Sequence, residues 1–445
     1  MRSRVVQARD YFTNQTEQWL EQFDQDSDLK VRAADALEAT VSRHLELVVI
    51  DLDDTDDPHV IFETLNARGS PLLQSDIVKN KVFHDAKIGI DDDEVEANKE
   101  AIRIWPFDQD DWWSQEIGRG LQRRPRIDVF LNHWLTLRNR SEMKPYDEFR
   151  AFEKYADSNT TTGSTILDIA RDLRELGAIY RDVEELRRTD IIQFLKRRNV
   201  MNAGVVTPLV LWLLSEELPS LQLAKCLSAI ESFLVRRVVC GYSARSYGEL
   251  FVGLIRKLSE TSTECKDGTV VSYLAEQTSQ AALWPGNNEL RERFVEAPLY
   301  QYLTRGRFRM VLEGIESELR TNMAETAEVP ENLNIEHIMP QSWHSNWPLS
   351  EELDEDEDAV AAHDQTIHTI GNLTLVNGRL NSSLSNAPWI RKRETLADHS
   401  VLFLNKRLVN QGPEVWDEKA INKRSKWMHK RMVSVWPHAS GFDSD

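Results

Sequence analysis

The spacing of hydrophobic residues is that of amphipathic helices over most of the chain. Apolar residues recur every three or four positions in residues 1–48 and through nearly all of residues 100–320. This spacing places them on one face of a helix, where they can pack against a core. Because no repeat of fixed period occurs, the pattern predicts a helical N-terminal segment and an all-helical middle domain rather than a solenoid.

Three shorter stretches have the composition of strands. Residues 45–52, LELVVIDL, form a β-branched apolar run that ends in an acidic turn. Residues 334–340, NIEHIMP, end in a proline, and residues 371–376, GNLTLV, are followed by Asn377-Gly378, an ordinary tight-turn pair. Because helical text follows that pair, the C-terminal part is predicted to run strand, long loop, strand, helix.

Two helices are predicted between residues 59 and 86. The text HVIFETLNARGSPLLQSDIVKNKVFHDA is interrupted by a Gly-Ser-Pro triplet that breaks the helical pattern. Ser75 follows the break, and serine is a favourable residue at the N-terminal cap. The second helix is therefore predicted to be capped by Ser75 and to run through Phe83.

Glu336 and His337 stand side by side at the end of a predicted strand. An unpaired carboxylate in a core is costly, and a surface strand has little use for the apolar residues around this pair. Both side chains are explained if they serve a site at the strand end, although a plain surface pair is the alternative. Asn372 starts the second strand and Asn381 lies on the next helix, nine positions later. This order matches a ββα-metal nuclease site.

The hydrolysis of a phosphodiester explains why these residue types occur together. A base must take a proton from water, and histidine is the side chain best tuned for that near neutral pH. A hard cation must neutralise the developing charge, and such ions prefer oxygen ligands, which Glu336 and Asn381 provide. Asn372 is expected to hold the loop and the imidazole in place. An amide ligand favours one Mg²⁺ or Mn²⁺ per site over a softer ion.

The charge of the chain is segregated along the sequence. The formal net charge is −19, whereas binding to phosphate needs local cations. Acidic runs at 51–58, 91–96 and 351–359 stand apart from basic clusters such as RGRFR at 305–309 and RKR at 391–393. Because the local distribution of charge decides binding, the acidic total does not exclude DNA as a partner.

Composition excludes several other classes of protein. Three cysteines lie far apart without a C-x-x-C motif, which argues against a disulfide framework or a thiolate zinc site. No apolar run is long enough to span a bilayer. The N-terminus, MRSRVVQARDYF, lacks the apolar middle of a signal peptide. We therefore expect a cytoplasmic protein without a membrane partner.

The C-terminal text resembles a known nuclease family. IEHIMPQ, IGNLTLVNGRLNSSLSN and PWIRKRETL resemble the His-Asn-His (HNH) superfamily, in the DUF1524-like variant of GmrSD-type, modification-dependent (Type IV) restriction endonucleases. The resemblance covers residues 334–395. It implies a mainly α protein of the α+β class, in which a multi-helix domain is followed by a ββα-metal (HNH) nuclease domain at 328–445.

The resemblance also implies a role for each site residue. His337 would be the general base with Asn372 as the orienting catalytic residue, and Glu336 and Asn381 would be the metal ligands. Lys392 would contact a phosphate. Apart from the resemblance, the basic clusters add Arg391, Arg393, Arg305 and Arg307 to Lys392 as the expected DNA-binding set. For RGRFR the alternative is that its arginines form ordinary surface pairs.

A second resemblance lies in the N-terminal part. IFETLNARGSPLLQSDIVKNKVF resembles the closing part of the DUF262-like partner domain of the same systems, where FETLN-x-RG-x-L is typical. That domain normally opens with a DGQQR nucleotide-processing motif, and no such text occurs in this sequence. Residues 1–95 are therefore interpreted as a partial DUF262-like segment and residues 96–327 as the middle domain. The nucleotide-hydrolysing half is a separate subunit, was lost by truncation, or never belonged to this chain.

The expected function is metal-dependent cleavage or nicking of foreign DNA, modified or unmodified, in a restriction system that defends against phage. Two alternatives stay open. One is a catalytically inactive DNA-binding or regulatory subunit, which the missing nucleotide motif favours. The other is a ribonuclease, because the same kind of site can hydrolyse RNA. His344, His363 and His368 are interpreted as exposed histidines, with His368 as the candidate for a further role.

Overall fold

The computed structural model describes residues 4–45, 73–86, 102–118, 120, 123–145, 147–161, 163–320, 328–345 and 357–442. Helices account for most of these residues, and the described strands form two antiparallel pairs. The mainly helical class predicted from the hydrophobic spacing is confirmed. The predicted strand at 45–52, apart from Leu45, and the helix predicted before the Gly-Ser-Pro triplet lie outside the described residues. No described helix has the length and apolar content needed to cross a membrane.

The chain divides into two compact units, residues 1–127 and 128–445. The first unit contains α1 (Arg4–Glu21), α2 (Ser27–Ala39), α3 (Gln74–Asp85), α4 (Asp111–Ser114), β1 (Glu116–Ile117) and β2 (Arg124–Pro125). β1 and β2 pair antiparallel, with Glu116 opposite Pro125. The three segments predicted from the sequence, with boundaries at residues 95 and 327, divide the chain differently and stay predictions.

Helix α3 begins before the residue that was expected to cap it. Leu73 occupies the cap position with an extended backbone, φ −70° and ψ 140°, and its side chain makes no capping hydrogen bond. Ser75 lies inside the first turn, where it is buried. The prediction that Ser75 caps this helix is therefore wrong, because the helix already begins after Leu73, an apolar residue with an extended backbone. The helix ends at Asp85, two residues beyond the predicted end.

The helical part of the second unit starts at the boundary between the units. Its helices are α5 (Arg126–Asn139), α6 (Glu148–Thr161), α7 (Ile166–Glu184), α8 (Ile192–Met201), α9 (Thr207–Ser215), α10 (Ser220–Cys240), α11 (Tyr247–Ser259), α12 (Lys266–Ala275), α13 (Asn287–Glu296), α14 (Leu299–Tyr302) and α15 (Arg305–Leu319). α10 is buried along most of its length, including Arg236. The Arg236 guanidinium donates to the carbonyl oxygens of Pro285 at 2.8 Å and Trp436 at 2.7 Å. These bonds tie the helical part to the end of the chain.

The C-terminal part of this unit has the predicted order of strand, strand and helix. Its elements are β3 (Asn334–His337), α16 (Glu357–Ile367), β4 (Leu373–Val376), α17 (Gly378–Leu384), α18 (Trp389–His399), α19 (Phe403–Gln411) and α20 (Glu418–Val435). β3 and β4 pair antiparallel, with Glu336 opposite Thr374 and His337 opposite Leu373. All four side chains of β4 are buried. The segment between the strands was expected to be a loop, but its residues from Glu357 onward form α16.

Helix α20 holds the start of β4 in place. The Arg424 guanidinium donates to the carbonyl oxygens of Gly371 at 2.8 Å and Leu373 at 2.7 Å. The Gly371 N–H donates to Ser425 Oγ at 3.0 Å. Gly371 lies so close to α20 that a Cβ atom there would overlap the Ile421 carbonyl oxygen. The backbone on both sides of Asn372 is therefore fixed against one helix.

Candidate active site

One pocket gathers side chains from the end of β3 and from α17. It has a volume of about 340 Å³. Three of its lining residues are the predicted base and the two predicted metal ligands, His337, Glu336 and Asn381. The remaining lining residues are small or polar: Pro340, Gln341, Ser342, Ser382, Ser385 and Asn386. Three of the four residues singled out by strand and helix order therefore meet at a single surface, whereas Asn372 does not line it.

Helix α17 directs Asn381 toward this pocket. Asn377 has an extended backbone and caps the helix, because its side-chain oxygen accepts the Leu380 N–H at 2.9 Å. The pair Asn377-Gly378 therefore starts a helix and is not the tight turn expected from its sequence. Asn381 lies one turn further on, and its Oδ1 is buried without a hydrogen-bond donor among the described residues. An orphaned buried acceptor on a pocket wall fits a cation ligand, since leaving it unpaired is unfavourable.

Asn372 connects the two strands through a saturated set of hydrogen bonds. Its side chain is fully buried. Oδ1 accepts from the Met339 N–H at 2.8 Å and from Trp416 Nε1 at 3.0 Å. Nδ2 donates to the carbonyl oxygens of Met339 at 2.8 Å and Ile367 at 2.9 Å. These four bonds use the whole capacity of an amide side chain, so Asn372 holds the loop after His337 and has no bond left for the imidazole.

The imidazole of His337 is 7% exposed and is surrounded by aromatic rings. Its Nε2 lies 3.3 Å from Nδ1 of His368. The ring of Tyr300 meets it edge to face, with 4.5 Å between ring centroids. Burial lowers the pKa of His337 to about 3, and the neighbouring charges of Lys392 and Arg305 act in the same direction. At neutral pH the ring is therefore uncharged.

Lys392 neutralises Glu336 from inside the protein. The Lys392 side chain is 1% exposed, and its Nζ lies 2.6 Å from Glu336 Oε1 and 2.6 Å from the His337 carbonyl oxygen. Burial raises the pKa of Glu336 and lowers the pKa of Lys392, while their attraction opposes both shifts. The phosphate contact predicted for Lys392 would require this amine to leave a buried ion pair. In the described arrangement its partner is the predicted metal ligand instead.

The four arginines of the predicted DNA-binding set lie in different surroundings. Arg391 is exposed, and its Nη1 lies 3.7 Å from Glu394 Oε2. Arg393 and Arg307 donate to backbone carbonyl oxygens, of Val409 at 3.0 Å and Met201 at 2.6 Å. Arg305 is exposed beside the pocket, with its guanidinium carbon 3.3 Å from the centre of the Tyr300 ring. Of these side chains, only Arg305 is close enough to His337 to depress its pKa.

The histidines near the motif differ from the expectation that all three are exposed. His344 is exposed and stacks on Trp343, with 3.9 Å between ring centroids. His363 is buried, and its Nδ1 lies 2.7 Å from Glu418 Oε1, so its predicted exposure is wrong. His368 is half-buried against His337. Burial lowers the pKa of His368, which favours its neutral form.

Tyr300 was missed by sequence reasoning. It belongs to α14, in the helical part, and nothing in its local sequence marks it. Its backbone N–H donates to the His368 carbonyl oxygen at 3.2 Å and its ring contacts His337, so it meets the imidazole through a contact between segments far apart in the chain.

The pocket contains few ligands for a cation besides Glu336 and Asn381. Among the described residues, no cluster of three or more histidine, cysteine, aspartate or glutamate side chains is placed to hold a metal ion. One carboxylate and one amide oxygen form a hard but incomplete donor set. Such a set suits an ion that keeps several waters, as Mg²⁺ does.

Comparison with known proteins identifies the part of the chain around this pocket. Residues 284–431 match the family model described as "GmrSD restriction endonucleases, C-terminal domain". The matched range covers β3, β4, the pocket and the segment that carries Tyr300. No curated protein matches the chain.

Proposed function

We propose, from the match of residues 284–431 to the family model of GmrSD restriction endonuclease C-terminal domains, that the pocket is a ββα-metal (HNH) site that cleaves DNA with a divalent cation. The observation that carries the proposal is the orphaned, buried Oδ1 of Asn381 on the same pocket wall as Glu336 and His337. A buried acceptor without a donor is unfavourable, and a cation bound between Glu336 and Asn381 would satisfy it.

Each residue has a distinct part in this proposal. Glu336 and Asn381 would hold one Mg²⁺ or Mn²⁺, and Lys392 keeps the Glu336 carboxylate in a fixed orientation. When bound, the cation supplies Lewis-acid stabilisation of the charge that develops on the scissile phosphate and its leaving oxygen.

His337 is the proposed general base. Its neutral imidazole takes a proton from the attacking water, which general-base catalysis requires. Asn372 keeps the loop that follows His337 closed against β4, so that the imidazole stays at the strand end. Arg305, exposed beside the ring, is the arginine best placed to contact a phosphate of the bound strand.

Two variants test the assignment in a plasmid-nicking assay with Mg²⁺ or Mn²⁺. His337→Ala is expected to abolish cleavage while DNA binding and helical content stay at the wild-type level. His344→Ala is the matched control, because His344 is an exposed histidine stacked on Trp343 outside the pocket. EDTA should stop cleavage by the wild type and by the control. Cleavage by His337→Ala at the wild-type rate would refute the assignment.

A catalytically inactive subunit is the second candidate, and one observation favours it. The Lys392 amine already occupies one oxygen of Glu336, which would suit a site that no longer binds a cation. The same assay separates the two candidates, because an inactive subunit binds DNA but does not nick it under any divalent ion.

A parallel assay on RNA of the same sequence decides between the two polymers as substrate.

A further inference from the structure

Three side chains outside the strand-strand-helix motif surround His337. His368 Nδ1 lies 3.3 Å from His337 Nε2. Tyr300 meets His337 edge to face and lies parallel to His368, with an interplanar angle of 1° and 5.7 Å between ring centroids. The Arg305 guanidinium covers the Tyr300 ring. The imidazole is thus held between two rings, and one of them is fixed in turn by an arginine.

The contact between the two histidines determines which nitrogen of His337 can act as a base. A neutral imidazole has one N–H and one acceptor nitrogen. If His337 Nε2–H donates to His368 Nδ1, the Nδ1 lone pair of His337 is free to take a proton. The opposite direction of this bond would place the proton of His337 on Nδ1 and leave no acceptor for water. In the described residues the ring makes no other hydrogen bond, so His368 alone sets this choice.

Tyr300 and His368 are linked by their backbones as well as their rings. The Tyr300 N–H donates to the His368 carbonyl oxygen at 3.2 Å. Tyr300 lies on α14, so the helical part of the chain contacts the imidazole of His337. Its ring limits the space in which the His337 imidazole can rotate, because the two ring centroids are 4.5 Å apart in an edge-to-face contact.

We propose that His368 and Tyr300 are positioning residues for the nuclease reaction. His368 accepts the Nε2–H of His337, and Tyr300 packs against both imidazole rings and keeps them in place. This inference rests on the proposed function, since it assigns the tautomer that the base requires. It adds residues from outside the motif to the site and gives the helical part a role in the chemistry.

Cleavage kinetics test the role of each positioning residue. His368→Leu is expected to lower kcat by about 100-fold, the usual size of a general-base contribution, with KM for DNA unchanged. His368→Asn should stay close to the wild-type rate, because an amide oxygen can accept the same N–H. Tyr300→Phe keeps the ring and should retain more of the wild-type kcat than Tyr300→Leu does. Equal losses in the leucine and asparagine variants at position 368 would overturn the proposal by indicating a packing role.

A nitrogen NMR measurement decides the proposal without relying on cleavage. Selective ¹⁵N-histidine labelling, with the His337 signals assigned by their loss in His337→Ala, reports which ring nitrogen carries the proton. The wild type should show the Nε2–H tautomer, and His368→Leu should show a mixture of tautomers. A proton on Nδ1 of His337 in the wild type overturns the inference, even if His368→Leu does not fold. If the wild type cleaves no nucleic acid, the proposed function fails while this measurement still decides the positioning role.

Discussion

At the scale of single residues, the ion pair between Lys392 and Glu336 is the most informative contact. Both side chains are largely removed from water, and the amine lies 2.6 Å from one carboxylate oxygen. Removing one member of a buried pair is costly because the other charge is left without a partner. The second oxygen of Glu336 has no such partner among the described side chains, so a cation could share the carboxylate with Lys392.

The variant Lys392→Met is expected to lower the free energy of unfolding by about 3 kcal/mol without divalent ions, as for other broken buried pairs. Mn²⁺ should restore part of this loss, because the ion can neutralise the stranded carboxylate of Glu336. Urea denaturation with and without Mn²⁺ measures both effects. Lys430→Met is the matched control, since Lys430 is an exposed lysine of α20.

The double variant Glu336→Gln/Lys392→Met tests whether the stability lost in Lys392→Met comes from the unpaired charge of Glu336. It should be more stable than Lys392→Met alone, because no charge remains to be stranded. Equal stability of the single and double variants would contradict the account of this pair.

At the scale of elements, the packing of β4 against α20 fixes the site. Gly371 accepts one bond from Arg424 and donates one to Ser425, with no space for a side chain between them. Asn372, the next residue, then bonds the loop that follows His337. A shift at the start of β4 would therefore be transmitted to the pocket.

Gly371→Ala is expected to lower the free energy of unfolding by about 2 kcal/mol, within the usual range for overpacking, and to slow DNA cleavage. Gly268→Ala provides the control, because Gly268 lies in α12 with no atom near the added methyl group. The control should leave the free energy of unfolding unchanged or raise it by up to about 1 kcal/mol, as for other helical glycines. Thermal unfolding, monitored by circular dichroism, compares the two variants. Equal effects of the two substitutions would contradict the account.

The elements also show what periodicity can and cannot predict. The alternation in residues 334–340 and the apolar run at 371–376 predicted two strands, and β3 and β4 lie in these segments. Asn377-Gly378 was misread as a turn because asparagine favours both turns and helix caps, and only the following backbone decides between them. Ser75 was misplaced for a similar reason, since cap preference is weaker than the packing that sets where a helix begins.

At the scale of the whole molecule, residues 128–445 form one compact unit in which helical and C-terminal parts share a core. Arg236 of α10 illustrates this, since its guanidinium bonds Pro285, Asn287 and Trp436. Sequence order could gather Glu336, His337 and Asn381, because they belong to the predicted strand–strand–helix motif. It could not place Tyr300 or the Lys392 amine, because these contacts depend on how distant helices pack.

Arg236→Met is expected to lower the free energy of unfolding by about 3 kcal/mol, because it leaves buried carbonyl groups without donors. If the unit is cooperative, the amides of β4 should lose hydrogen-exchange protection to the same extent as those of α10. Arg245→Met is the control, since Arg245 is an exposed arginine just after α10. Unchanged protection of β4 beside a destabilised α10 would indicate two independent units.

The most direct test of the central claim is a calorimetric titration of Mn²⁺ into the full chain. The account predicts one ion per chain in the wild type and a loss of affinity of about 10-fold or more in Asn381→Leu, the size expected when a ligand or its support is removed. Asn410→Leu, a change at an exposed asparagine near the end of α19, should bind as the wild type does. Equal binding by Asn381→Leu and the wild type would contradict the claim that Asn381 and Glu336 hold the catalytic cation.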